Sequence, residues 1–257
     1  MNNLVIFDIE TVPDTYAWAK YHNINNLSET EIANAMFALR RGECGNEFLP
    51  HCYHQVVCIS VVVRTSQQLK IYSLGTEVSD EAEIIELFFQ GIERLTPSLV
   101  SWNGSGFDCP VLHYRALLHG INASCYWETG KNNQNFRWDN YLNRYHERHL
   151  DLMDVLASYT NKAYASLDKI ACLLGFPGKM GMDGSKVWEY YKTGKIADIR
   201  AYCETDVLNT YLVYLRFQLM RGHLFETQYL EEVEFARQYL KETNRTYFEE
   251  FLSLWAT

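Results

Sequence analysis

Apolar residues in this chain come as short unbroken runs near the N-terminus and as spaced, helix-like patterns further along. Leu4-Val5-Ile6-Phe7 is one such run, closed by Pro13, and reads as a strand buried on both faces. Val56 to Val63 and Leu69 to Leu74 read as two more strands, separated by a Gln67-Gln68 turn, so the early strands form an antiparallel meander. Residues 14–50 are more polar and read as an insertion after the first strand. Within it Ser28 and Glu31 have capping-box spacing, and Ile32, Met36 and Leu39 share a helical face.

Ser79 or Asp80 then caps an amphipathic helix whose inner face carries Ile84, Ile85, Leu87, Phe88, Phe89, Ile92 and Leu95. Leu99 to Trp102 is a short strand, and Asp108 to Gly120 a helix with Pro110 in its first turn, where proline is tolerated. Residues 126–149 are irregular and rich in Asn and aromatics. Ser166 caps a helix to Leu174, Gly178 to Gly184 is a glycine-punctuated loop, and Ser185 is expected to cap a short helix through Tyr191. Helices are predicted over 196–220 and 226–240, with 223–257 forming a C-terminal helical extension. Early antiparallel strands followed by alternating helix and strand predict an α/β fold with a mixed sheet flanked by helices, in one domain spanning 1–257.

Composition narrows this picture. With 47% hydrophobic and 21% charged residues, the 257-residue chain has material for a proper core and no signature of disorder. Seven scattered cysteines without a Cys-x-x-Cys pair argue for reduced thiols, and no signal peptide is visible, so a cytoplasmic location is expected. No apolar run approaches the roughly 18 residues of a membrane span. The net charge of −9 argues against non-specific coating of nucleic acid but leaves room for an enzyme that holds one strand end in a small cleft.

Three acidic signals carry candidate chemistry. Ile6, Asp8 and Glu10 point to one side of the first strand, so two carboxylates emerge side by side where that strand leaves the core. Like charges at that spacing raise each other's pKa unless a cation neutralises them, and a divalent metal suits carboxylate oxygens; taken alone, the pair is equally an acidic strand end. Asn103-Gly104-Ser105-Gly106-Phe107-Asp108-Cys109-Pro110 puts Asp108 at a helix N-terminus, which also suits an ordinary N-cap. Tyr202 and Asp206 stack one turn apart on a late helix, which also suits a surface Asp beside a half-buried Tyr.

Taken in order, Asp-x-Glu, then Asn-x3-Phe-Asp-x-Pro, then Tyr-x3-Asp resembles the DEDDy branch of the DnaQ-like 3′→5′ exonucleases, in the ribonuclease H-like superfamily. It is most similar to the free-standing predicted exonucleases related to the exonuclease domain of family B DNA polymerases. The resemblance runs from about Leu4 to Phe217 and includes Gly175 to Gly184 and Tyr202 to Tyr211. It implies a metal-dependent 3′→5′ exonuclease acting on a single-stranded 3′ end, DNA first and RNA as the alternative, releasing nucleoside 5′-monophosphates. Asp8, Glu10, Asp108 and Asp206 would hold two divalent cations, Mg or Mn, with Asp8 bridging them. Tyr202, of reference pKa about 10, would orient the attacking water rather than deprotonate it. Asn103, Phe107, Lys179 and Lys186 are candidate strand contacts.

Other features weigh less. Asp151 is either a support for the site or a helix cap, and Asp154 stands beside it. Residues 162–200 hold seven Lys or Arg against four Asp or Glu, so Lys169 joins Lys179 and Lys186 as a possible phosphate contact, or all three lie on a solvated face. Trp127, Phe136, Trp138, Tyr141 and Tyr145, interleaved with cations, suit either unstacked bases or a small aromatic core under a loop. His51, Cys52, His54 and Cys58 match no zinc spacing, and Gly104-x-Gly106 lacks the rest of a dinucleotide fingerprint. Two rivals remain: a haloacid dehalogenase-type phosphatase, which would need a second Asp where Glu10 stands, and a non-catalytic nucleic-acid-binding or scaffold module.

Overall fold

The computed structural model describes residues 3–255. Five strands form one mixed sheet in the order β3-β2-β1-β4-β5. β1 (Leu4–Pro13) runs antiparallel to β2 (His54–Arg64) along its full length, and β3 (Leu69–Ser73) runs antiparallel to β2 on the outer side. β4 (Ser98–Ser101) and β5 (His149–Asp151) complete the other side in parallel. An antiparallel meander joined to parallel strands is the mixed-sheet α/β arrangement that the sequence pattern predicts.

Alternation along β1 sorts the core into two layers. Leu4 and Ile6 join Val62, Ile71 and Val100 on one face, while Val5, Phe7 and Ile9 join Val61, Val63 and Leu99 on the other. The second face is covered by α3 (Glu81–Leu95) and α4 (Asp108–His119). Ile84, Ile85, Phe88, Phe89 and Ile92 are all buried there, each such burial being worth about 1.5–3 kcal/mol. Asp80, not Ser79, is the cap of α3, accepting from the Glu83 amide.

The first face is covered by α8 (Ile196–Met220), itself enclosed by α6 (Leu167–Leu173), α9 (Glu226–Glu242) and α10 (Thr246–Leu254). Between Tyr202 and Val213 α8 is therefore buried on every side, polar residues included. Glu204 shows how such a charge is tolerated: it accepts from the Ser73 amide and hydroxyl and from Tyr247, and is paired with Arg245.

Residues 14–50 contain α1 (Thr15–His22) and α2 (Glu29–Cys44), and the Ser28–Glu31 capping box is formed. Ile32, Ala33 and Met36 are buried but Leu39 is exposed, because Trp18, Ala19 and Leu49 cover only one side of α2. A single turn of 3-10 helix, His51–Tyr53, then leads into β2. Buried Arg115 of α4 ties this region down, pairing with Asp14 at 2.5 Å and Glu81 at 2.5 Å. α5 (Leu152–Leu156) follows β5. The expected Ser185 cap is corrected: Asp183 accepts from Ser185 to open a 3-10 turn, Gly184–Lys186, that feeds α7 (Val187–Lys192). No helix among the described residues is long and apolar enough to cross a membrane.

Candidate active site

β4 pairs with β1 only from Leu4 to Ile6, so β1 continues past Phe7 with β2 alone beside it. Its backbone on the β4 side then lacks a strand partner. Asp108 fills that gap, its Oδ1 accepting from the Ile9 amide at 3.1 Å. The expectation of Asp108 as a helix N-cap is thereby refined. Phe107 holds the cap position without a side-chain bond, and Asp108 is the first helical residue, turned onto β1. A register shift between Glu10 and Thr11 bends the strand just beyond the acidic pair.

The loop from β4 to α4 is held from both sides. Asp151, at the end of β5, accepts from the Asn103 amide through Oδ1 at 2.9 Å and from the Ser105 amide through Oδ2 at 2.9 Å. It also caps α5 through the Met153 amide, so the helix-cap reading of Asp151 holds and the same carboxylate ties the β4–α4 loop to β5. On the outer side His51 Nε2 donates to the Gly106 carbonyl at 2.9 Å. Gly106 is packed closely: a Cβ there would lie 2.5 Å from Asn103 Oδ1. Asp154 instead pairs with Arg144 and accepts from Tyr164.

α8 brings the third motif. Cys203 packs against β1, with Sγ 3.5 Å from both the main-chain oxygen and Oδ2 of Asp8, and Tyr202 and Asp206 flank it one turn apart. The reading of Asp206 as a surface residue is thus excluded, since both it and Tyr202 are buried. Potential ligand atoms of Asp8, Glu10 and Cys203 lie within 4.8 Å of one another. Asp108 and Asp206 do not join that tight group, but their charges reach Asp8.

Every acid in the cluster is pushed upward. Burial raises Asp8 well above the carboxylate range, with Asp108 and Asp206 adding to it, and burial with Asp8 and Asp206 does the same to Glu10. Burial lifts Asp108 to about 7, against the bond from Ile9. Burial lifts Asp206 to about 6, against a hydrogen bond from Tyr202 and the charge of Lys179. Tyr202 is raised far above an ordinary phenol by burial and by the carboxylates. Four anionic groups that burial and mutual repulsion discourage from ionising form a site short of positive charge. Their oxygens suit a hard divalent cation. Cys203 does not count among those donors: burial raises its thiol well above the ordinary value, and it donates to Asp8.

The glycine loop stands against the same helix. Asn209 of α8 grips Gly178 through both backbone groups, donating to its carbonyl at 3.0 Å and accepting from its amide at 3.3 Å. Gly178 has φ +67°, and a Cβ there would lie 2.5 Å from Asp168 Oδ1, so only glycine fits. The next residue, Lys179, places Nζ 5.7 Å from the centre of the Tyr202 ring. Lys186 turns back to the Gly181 carbonyl, and Lys169 is exposed. Of the candidate cations, only Lys179 reaches the cluster. Asn209 and Asp151 were undervalued in the sequence, because one looks like a helix-face residue and the other like a cap.

Tyr126, Phe136 and Tyr141 are buried as a small aromatic core, whereas Trp127, Trp138 and Tyr145 remain exposed. The run from His51 to Cys58 gathers no metal-ligating group: Cys52 is exposed, Cys58 is buried within β2, and the two histidines hydrogen-bond to backbone carbonyls.

The model of the family described as "predicted 3′-5′ exonuclease related to the exonuclease domain of PolB" matches residues 46–255. That span contains Asp108, Tyr202 and Asp206, and β1 precedes it. No curated protein matches the chain. Among solved structures, the family B DNA polymerase from the hyperthermophilic archaeon Pyrobaculum calidifontis is similar at 18% identity and a TM-score of 0.49. The similarity covers 86% of this chain and 25% of the polymerase, so the chain spans about a quarter of that protein's length.

Proposed function

This chain belongs to the family of predicted 3′-5′ exonucleases related to the exonuclease domain of PolB, and on that premise we propose that it removes nucleotides from the 3′ end of single-stranded nucleic acid, DNA in preference to RNA. Asp8, Glu10, Asp108 and Asp206 would hold two divalent cations, Mg or Mn. When bound, these supply Lewis-acid stabilisation of the charge that builds up at phosphorus and on the leaving 3′ oxygen. The single observation that supports this most is the convergence of four carboxylates from β1, α4 and α8, each raised in pKa by burial.

Tyr202 keeps its proton at neutral pH, since its surroundings push the phenol far upward, so it orients water or a phosphate oxygen instead of acting as a base. Lys179, beside it, offers positive charge to the phosphodiester. Asp151 and His51 hold the loop that carries Asn103 and Phe107, which would contact an incoming strand end. The products are nucleoside 5′-monophosphates.

The test is digestion of 5′-labelled single-stranded DNA and RNA oligonucleotides with Mg or Mn. The expected result is a ladder shortening from the 3′ end, abolished by EDTA and by Asp8→Ala or Asp206→Ala. Stoichiometric binding without turnover under both metals would instead mark a binding module. Phosphate release from a small monoester without a ladder would mark a phosphatase.

A further inference from the structure

About two turns beyond Asp108, and on the same side of α4, a second side chain reaches towards β1. Arg115 is buried, and each nitrogen of its guanidinium is spent on a carboxylate from another element. Nη1 donates to Asp14 Oδ2 at 2.5 Å, while Nε and Nη2 donate side by side to Glu81 Oε1 and Oε2 at 2.7 and 2.5 Å. Asp14 directly follows β1, and Glu81 opens α3. Glu81 carries the clasp on to β2. Its Oε1 also accepts from the Val56 amide at 2.6 Å, and its Oε2 lies 2.8 Å from His119 Nε2, one turn further along α4.

Val56 stands at the register shift in the β1–β2 ladder. Glu10 pairs with Cys58 and Thr11 with Val56, so Val57 is the extra residue and the ladder bends immediately after Glu10. Glu81 accepts from a backbone donor at this bulge, much as Asp108 accepts from the Ile9 amide. Asp14 is fixed as well: its amide donates to the Tyr53 carbonyl at 2.8 Å, and its Oδ1 caps α1 through the Ala17 amide at 2.8 Å. One rigid helix, α4, therefore grips the β1 chain at Ile9 through Asp108 and at Asp14 through Arg115. Glu10 lies between the two grips. Its carboxylate accepts no hydrogen bond among the described residues, so the backbone that carries it decides where it stands. A planar fork can serve two carboxylates at once, whereas a lysine ammonium is a point charge on a flexible stem.

We propose that Arg115 is a positioning residue for Glu10: through Asp14 and Glu81 it fixes the bulge, and so sets how Glu10 stands to Asp108 and how tightly the carboxylate cluster takes a divalent metal. This rests on the reading of that cluster as the metal site of an exonuclease. Arg115 does not join the cluster. It acts on it through the backbone of β1 and β2.

The test compares wild type with Arg115→Lys, which keeps the charge and loses the fork. A second variant, Asp14→Asn, keeps an oxygen for the Ala17 amide and weakens only the β1 side of the clasp. Mn²⁺ dissociation constants are read without substrate from the electron paramagnetic resonance signal of free Mn²⁺. The concentration of Mg²⁺ for half-maximal strand shortening is measured beside them. Expected for Arg115→Lys is about tenfold weaker Mn²⁺ binding with a parallel rise in half-activating Mg²⁺, and for Asp14→Asn a smaller loss in the same direction. The loss should persist in an Asp206→Asn background and largely vanish in a Glu10→Gln background, where the side chain being positioned is no longer a charged ligand. An Arg115→Lys effect of equal size in all three backgrounds, or Mn²⁺ binding unchanged beside a lowered thermal midpoint, makes the clasp purely structural and overturns the proposal. Should Arg115→Lys fail to fold, Asp14→Asn carries the same comparison. Metal binding that follows the expected pattern in a protein that never shortens a strand keeps the clasp and overturns the exonuclease reading. Strand shortening with metal affinity indifferent to Arg115 does the reverse.

Discussion

The Asp108 carboxylate takes the place of a missing strand: its Oδ1 accepts from the Ile9 amide, on the edge of β1 that β4 abandons after Ile6. One side chain therefore does two things. It satisfies a buried backbone donor, and it brings a third acid beside Asp8.

Those two roles separate by substitution. Asp108→Asn keeps an oxygen for Ile9 and removes the charge, so stability is retained while strand shortening is lost. Asp108→Ala leaves the amide unpaired and costs about 1–3 kcal/mol in addition. Urea unfolding of both variants, beside an exonuclease assay, checks this. Equal destabilisation by Asn and Ala would refute the backbone role.

The raised acids make the metal-free protein sensitive to pH in a defined direction. Acids whose folded pKa exceeds the unfolded value near 3.9 bind more protons in the folded state, so they favour folding at low pH. That contribution is lost as pH rises through about 6 for Asp206 and about 7 for Asp108. In EDTA the thermal midpoint should therefore gain from protonation of this cluster at pH 5 and forfeit that gain at pH 8. Added Mg or Mn should raise the midpoint strongly at pH 8 and little at pH 5. The Asp8→Ala variant serves as the baseline that cancels other titrating groups. A metal shift equal at both pH values would count against a carboxylate site.

Asp151 is expected to matter without touching substrate. Each of its oxygens holds a separate amide of the β4–α4 loop, and Asn has only one oxygen to offer. Asp151→Asn should cost about 1–3 kcal/mol in stability. It should also lower kcat/KM about tenfold by loosening Asn103, Phe107 and Asp108, with the metal concentration for half-activity nearly unchanged. A large rise in that concentration would instead place Asp151 among the metal ligands.

Much of this was legible in local pattern. Runs such as Leu4 to Phe7 and Val56 to Val63 point to strands because they are short, rich in β-branched residues and bounded by polar or turn residues, as suits a strand with both faces covered. The period of Ile84 to Ile92, the Ser28–Glu31 box and the Gly120 stop likewise act over one or two turns, and the structure has them as the pattern predicts. The order of the three acidic motifs was also visible. What local pattern could not show was which partner each polar group would meet. Ser185 yielded its cap to Asp183, Leu39 faced water, and Lys186 turned to its own loop, because each outcome depends on what the rest of the chain leaves uncovered.

The sequence by itself determined strands β1 to β4, the helices with clear periods and caps, and the pattern of Asp8, Glu10, Asp108, Tyr202 and Asp206, since those follow from residue type and spacing within a few turns; β5 was not legible there. Only the tertiary structure decided that Asp108 leans on Ile9 and that Asp151 and His51 hold its loop. Those contacts join residues dozens of positions apart. They arise because β4 stops short of β1's end, and a chain folded around that gap must fill it with side chains.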